Sequence, residues 1–193
     1  MILKKYKKFS DETLTGYICK GNVAAFNEIY KRYSNRLFMF FLRMLRGDEE
    51  KAKDFLQDIF VTVIEKSHYF DCNKIFSNWI FTIAKNMCMN EYKSIKYKKN
   101  CQNTLELNQN NQYKFYPGID EQIDKKEFMK SLFIELDKLD QKSNTVFLLR
   151  YQENFKIQQI SEILSMSQGT VKSRLHYTSK KIAVKLKKLN PNI

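Results

Sequence analysis

The chain has 193 residues, 43% hydrophobic and 28% charged, values of a globular protein that exclude a wholly disordered chain. Lys and Arg number 34 against 21 Asp and Glu, a formal charge of +13. Only 5 Gly and 2 Pro leave little turn material, which argues against an all-β fold, and no GxGxxG or GxxxxGK[ST] phosphate loop occurs.

The pattern predicts an all-α protein. Ser10 is a helix N-cap followed by Asp11 and Glu12 in the first turn, with Phe9 and Leu14 at the spacing of a hydrophobic staple. A longer helix is expected over 22–46, where Phe26, Ile29, Tyr30, Tyr33, Leu37, Phe40, Phe41 and Met44 recur at threes and fours. Gly47 suits a left-handed end and Asp48 caps the next helix, 48–66. There Phe55, Leu56, Ile59, Phe60, Val63 and Ile64 form the inner half of the wheel. Asp54, Gln57, Asp58, Val61 and Glu65 form the outer half. A loop over 68–75 leads to a helix over 77–95, with Trp79, Ile80, Ile83, Ala84, Met87 and Cys88 inside and Lys85, Asn86, Asn90 and Lys93 outside.

Composition shifts at residue 96. The stretch 96–120 is rich in Asn, Gln and Lys, contains Pro117-Gly118, and reads as a flexible linker between residues 1–95 and a second helical domain, 121–193. In that domain helices are expected over 121–136 and 141–152, capped by Asp140 and ended by a left-handed Asn154. Two more follow, joined by Ser165-Met166-Ser167, a helix-turn-helix spacing. Val171, Leu175, Thr178 and Ile182 point inward along the last helix. Gly169, Thr170, Ser173, Arg174, Tyr177 and Lys181 point outward, and no acid follows Glu162. Such a face suits a duplex with one charge per ~1.7 Å of axis.

Other chemistries find little support. Cys19, Cys72, Cys88 and Cys101 form no CxxC pair, so free thiols in a cytoplasm are expected rather than zinc or disulfides. The basic N-terminus is followed by no apolar run of signal-peptide length, and the longest apolar stretch, 37–42, is too short for membrane insertion. Asp54 and Asp58 as nuclease or recombinase ligands would need a His or second carboxylate cluster, and none is visible, so no enzyme, metal, cofactor or small-molecule substrate is expected. His68 and His176 are isolated.

Two blocks of residues resemble the bacterial sigma-70 family, in its extracytoplasmic-function group. The first runs through Ala25-Phe26, Tyr30, Tyr33, then Ala52-Lys53-Asp54-Phe55-Leu56-Gln57-Asp58-Ile59-Phe60 and Phe76-Ser77-Asn78-Trp79-Ile80-Phe81-Thr82-Ile83-Ala84-Lys85-Asn86. The second comprises Val146-Phe147-Leu148-Leu149-Arg150-Tyr151, Ile160, Ile163-Leu164 and Gly169-Thr170-Val171-Lys172-Ser173-Arg174-Leu175. The chain departs from the family at Lys156 (usually Ser), Ser165 (usually Gly), Lys93 (often Arg) and Tyr177-Thr178-Ser179 (often Arg-Ala-Arg).

The resemblance implies a non-catalytic subunit that recruits core RNA polymerase to promoters. Asp54, Gln57, Asp58 and Val61 would dock on the polymerase. Asp71, Asn73 and Lys74 of the loop, with Lys85, Asn86, Asn90 and Lys93, would engage the melted non-template strand of the −10 element. Gln168, Gly169, Thr170, Lys172, Ser173, Arg174, Tyr177 and Lys181 would read the −35 duplex in the major groove. It further implies an anti-sigma partner and a cytoplasmic, nucleoid-associated location. The alternative is a stand-alone helix-turn-helix regulator independent of polymerase.

Overall fold

The computed structural model describes residues 6–101 and 131–189. Among them the regular elements are all helices and no strand occurs, as the scarcity of turn residues predicts. Contacts group the chain into two units, 1–107 and 108–193.

In the first unit, helix starts fall where a short polar side chain can close them. Ser10 caps α1 (Asp11–Ile18), its Oγ accepting from the Thr13 N–H at 3.2 Å. Asn22 caps α2 (Val23–Met44) through the Ala25 N–H at 3.0 Å. This helix ends before the expected Arg46, because Arg46 and Gly47 both take left-handed backbone, φ 57° and 85°. Asp48 caps α3 (Glu49–Lys66) through the Lys51 N–H at 3.0 Å. A 3₁₀ turn, Ser67–Tyr69, and an irregular stretch precede α4 (Phe76–Cys101).

The last helix of this unit runs further than its sequence suggests. Residues 96–101, expected as linker, continue α4. Lys96, Tyr97 and Lys98 are all exposed, so no apolar periodicity marks them. A helix already nucleated adds a hydrogen bond with each residue, and Lys is a good helix former. Residues 102–120 of the expected linker lie outside the described residues.

Helix α2 is the hub, packing on α1, α3 and α4. Its Ile29, Tyr33, Leu37, Phe40, Phe41 and Met44 are buried, as the spacing predicts, whereas Tyr30 is 45% exposed, its ring centroid 4.7 Å from that of Phe60. The core is aromatic and meets edge to face: Phe40–Phe81 and Phe41–Phe55 at 5.5 Å, Tyr33–Phe76 at 5.3 Å. Each such burial contributes about 1.5–3 kcal/mol.

A polar knot ties the N-terminal segment to this hub. Arg32 Nε donates to Glu28 Oε1 at 2.9 Å, and Nη1 to Asp11 Oδ1 at 2.7 Å and the Phe9 carbonyl at 3.0 Å. Nη2 donates to the Lys7 carbonyl at 3.0 Å. Only a guanidinium offers so many donors in one plane. The Tyr33 hydroxyl donates to the other Asp11 oxygen. Burial, and then the Asp11 carboxylate, push that hydroxyl well above its usual pKa, so it remains a donor. Phe9 packs its ring against Tyr6 and Tyr17.

In the second unit, residues 131–137 are helical, and the rest of the expected helix 121–136 lies outside the described residues. Asp140 caps α5 (Gln141–Tyr151) through the Ser143 N–H at 3.0 Å, and Asn154 takes the expected left-handed conformation, φ 58°. α6 (Ile157–Leu164) starts without a capping hydroxyl. There the Lys156 N–H donates to Gln159 Oε1 at 3.0 Å, the half of a capping box that needs no hydroxyl at the cap. Ser167 caps α7 (Gln168–Leu189) through the Thr170 N–H at 3.1 Å. Val146, Leu149, Ile160, Ile163, Val171, Leu175, Thr178 and Ile182 close the core.

The α6–α7 turn demands a left-handed residue, and Ser165 supplies it at φ 51°. An L-residue there costs about 1–2 kcal/mol. Glycine removes that strain but costs about 0.5–1 kcal/mol of chain entropy. Ser165→Gly is therefore expected to raise the urea midpoint of the second unit, a gain of up to ~1 kcal/mol. A lowered midpoint would show that the serine contributes more than its backbone strain costs.

Candidate protein-docking and nucleic-acid faces

Helix α3 turns Ala52, Phe55, Ile59, Phe60 and Val63 inward, leaving Asp54, Gln57, Asp58, Val61 and Glu65 exposed as a strip. One residue departs from expectation. Ile64, assigned to the core by its sequence, is 51% exposed. It sits one turn from both buried Phe60 and exposed Val61, at the edge of the buried arc. Val61, 52% exposed, gives the acidic strip an apolar centre, and Ile64 extends it along one edge. Such a surface suits a partner that is basic at its rim and apolar in the middle.

The loop before α4 is preorganised. Asp71 Oδ1 accepts from the Asn73 N–H at 3.0 Å and from Asn73 Nδ2 at 3.1 Å, while the Asp71 carbonyl accepts from the Lys74 N–H at 2.9 Å. Asp71, Asn73 and Lys74 are all exposed, but the first two also hold the turn. Ile75, the residue before α4, has no oxygen to cap it. Glu12 of α1 does so across 64 positions: its Oε1 accepts from the Phe76 N–H at 3.1 Å. Burial opposes the charged form of Glu12. The N–H groups of Phe76 and of Glu12 itself, with the Ser10 hydroxyl, outweigh it and hold the carboxyl below its usual pKa. A cleft of about 550 Å³ lies between Ser10, Glu12, Thr13 and Gly16 on one side and residues 72–75 on the other.

Beyond this start, α4 exposes Asn86, Asn90 and Lys93 as expected. Lys85 is only half exposed; burial lowers its ammonium pKa, and Nζ donates to Asn86 Oδ1 at 2.7 Å. Trp79 is half-buried against Phe70 and Phe76, at 5.2 and 5.5 Å between centroids. Phe76 and Phe81, absent from the expected inner face, are fully buried.

On α7, Gln168, Gly169, Thr170, Lys172, Ser173, Tyr177 and Lys181 are exposed, Tyr177 by 72%. His176, read as isolated in the sequence, is exposed among them. A Cβ on Gly169 would meet only Ser167 Oγ, at 3.8 Å, so the fold itself does not require glycine there. Arg174, expected to point outward, turns back instead. Its Nη1 donates to Asp140 Oδ1 at 3.2 Å and Ser143 Oγ at 3.0 Å. The reason is its row: Val171 and Thr178, three before and four after it, are both buried.

Among the described residues no helix is long and apolar enough to cross a membrane, no group of His, Cys, Asp and Glu could hold a metal ion, and Cys19, Cys72 and Cys88 are free thiols.

The first unit thus carries an exposed acidic strip on α3, and the second a helix-turn-helix whose second helix, α7, holds no acid. The sequence pattern of Sigma-70 region 2 matches residues 29–96, and that of Sigma-70 region 4 matches residues 135–182. The chain is 28% identical over 164 residues to the ECF RNA polymerase sigma factor SigW of Bacillus subtilis, covering 81% of this chain and 86% of that protein. It is 26% identical to SigL of Mycobacterium tuberculosis, covering 88% and 93%. The fold is similar to that of the sigma factor RpoE from Bartonella quintana, solved with the anti-sigma factor NepR, at a TM-score of 0.71, 19% identity and coverage of 84% and 96%. It is also similar to that of CnrH, solved with the cytosolic domain of CnrY, at a TM-score of 0.68, 20% identity and coverage of 95% and 99%. The chain belongs to the sigma-70 family, in its group of extracytoplasmic-function (ECF) RNA polymerase sigma factors.

The Glu12 cap has a pH signature. Its pKa is lower folded than unfolded, so its stabilisation is present above the ordinary carboxylate range and lost as the pH falls through and below it. Glu12→Gln keeps an acceptor oxygen but removes the charge at the start of α4, at a cost of about 0.3–1 kcal/mol. The variant should melt below wild type at neutral pH and converge with it as the pH falls below the ordinary carboxylate range. A gap that persists in acid would mean that shape rather than charge matters at this position.

Proposed function

We propose that this sigma factor binds core RNA polymerase through the α3 strip and directs it to promoters through two separate DNA faces. The observation that carries this reading is the pairing, in one strongly basic chain, of an acidic strip with an apolar centre and a recognition helix free of acids. Phosphates would be repelled by Asp54 and Asp58. A basic protein surface would be attracted to them, with Gln57, Val61 and Ile64 supplying the remaining contact.

In this reading residues 1–95 carry polymerase docking and the −10 contact, residues 96–120 connect, and residues 121–193 carry the −35 contact. Asp71, Asn73 and Lys74, with Lys85, Asn86, Asn90 and Lys93 along α4, meet the melted non-template strand. Gln168, Gly169, Thr170, Lys172, Ser173, Tyr177 and Lys181 enter the major groove of the −35 duplex. The chain itself performs no chemistry, works in the cytoplasm at the nucleoid, and is held inactive by an anti-sigma protein. The complex of RpoE with the anti-sigma factor NepR supports that last element by analogy.

Asp54→Lys combined with Asp58→Lys should leave the fold intact, since both side chains are exposed. Like charges across an interface cost several kcal/mol. The pair should therefore abolish co-purification with core polymerase and run-off transcription while circular dichroism is unchanged. Wild-type affinity in the double variant would move the docking face elsewhere. A wild-type chain that binds duplex tightly and ignores polymerase would instead be a stand-alone regulator.

A further inference from the structure

The environment of Arg174 is unlike that of its neighbours on α7. Lys172, Ser173, His176 and Tyr177 face solvent, whereas the Arg174 side chain keeps only 32% of its surface. Its Nη1 reaches two acceptors on the first turn of α5, Asp140 Oδ1 at 3.2 Å and Ser143 Oγ at 3.0 Å. Its Nε is buried and has no hydrogen-bond partner among the described residues. That arrangement costs desolvation and is reasonable for an anchor rather than for a side chain waiting in water for a base. Asp140 is held in turn, accepting from the Ser143 N–H at 3.0 Å and the Ser143 hydroxyl at 2.6 Å.

Resting on the reading of α7 as the duplex-reading helix, we propose that Arg174 is a positioning residue. It clamps the second turn of α7 to the capped start of α5 and so sets the angle at which Ser173, His176 and Tyr177 meet base edges. Asp140 therefore acts twice, as the cap of α5 and as the seat of the recognition helix. Without the pair, α7 is seated by the apolar line of Val171, Leu175, Thr178 and Ile182 and by a bond between Tyr151 Oη of α5 and Ser179 Oγ at 3.1 Å. Its N-terminal half could still rock. A directional pair off the line prevents it.

The test uses the full-length chain assembled with core polymerase, a pool of duplexes with a randomised segment, and titrations of the selected duplex over a range of salt. Arg174→Ala removes the clamp from one side. Asp140→Ser removes the carboxylate from the other while keeping a capping oxygen for α5. Both should broaden the selected sequences and lower the ratio of specific to non-specific binding by about tenfold. The double variant should lose no more than either single one, and the salt slope should be unchanged. Melting curves identify a variant that merely fails to fold, and Asp140→Ser then still decides the matter.

Three results would overturn the proposal. A salt slope reduced by about one in Arg174→Ala alone would make Arg174 a phosphate contact. Relaxed preference at a single base pair in Arg174→Ala, with Asp140→Ser unaffected, would make it a base reader. Unchanged selectivity in both folded variants would remove the clamp. A wild-type complex with core polymerase that selects no sequence would overturn the DNA-reading role itself, a separate failure.

Discussion

An all-helical chain must close the start of every helix, where up to four N–H groups lack partners. With so little Gly and Pro, this protein does so mostly with side chains, α6 after Lys156 being left without a capping hydroxyl. Ser10, Asn22, Asp48, Asp140 and Ser167 each accept from an N–H three residues on. Helix α4 has Ile75 before it and takes its cap from Glu12. That exception joins the α1 start to the preorganised loop of Asp71, Asn73 and Lys74. The Arg32 knot then fixes α1 on α2, so the loop inherits its position from the hub of the unit.

Opposite charges are assigned to different elements. The acids of α3 lie on its outer face around Val61 and Ile64, with Lys53 paired to Glu49 at 2.6 Å along the same helix. On α7 the outer face has lysines and hydroxyls, and the nearby Asp140 carboxylate is already paired with Arg174. A protein surface and a nucleic acid can thus be bound by one chain without either face repelling the other's partner.

Much of this was legible in the residue order. Local caps follow an i to i+3 rule, and the inward stripe of α2 and of α7 follows a period near 3.6, so both are visible without coordinates. The unreadable parts depend on distance in the chain or on boundary positions. Glu12 and Phe76 are 64 residues apart, and nothing local announces their bond. Ile64 lies on the seam between two faces, where hydrophobicity alone suggests burial. Residues 96–101 continue the helix, but Lys96, Tyr97 and Lys98 are all exposed and give no inward stripe to read. Arg174 stands in the row of Val171 and Thr178, which spacing could have shown, but its basic charge beside a DNA-facing row suggested otherwise. The expected site residues are mostly exposed; Lys85 and Arg174 are the ones drawn partly into the fold.

Pairing Arg174 with Asp140 also changes how α7 would search a genome. It leaves the long-range pull of that helix to Lys172, Lys180, Lys181, Lys185 and Lys187, all exposed. An ammonium is a hydrated point charge with no preferred plane, and it holds any phosphate equally well. Landing on a duplex would then be fast and indifferent to sequence, and the chain could slide or hop from each landing site. Discrimination falls to short, uncharged groups such as Ser173 and Thr170, which act only at contact. The dwell time at a matching site, rather than the rate of arrival, would distinguish one promoter from another.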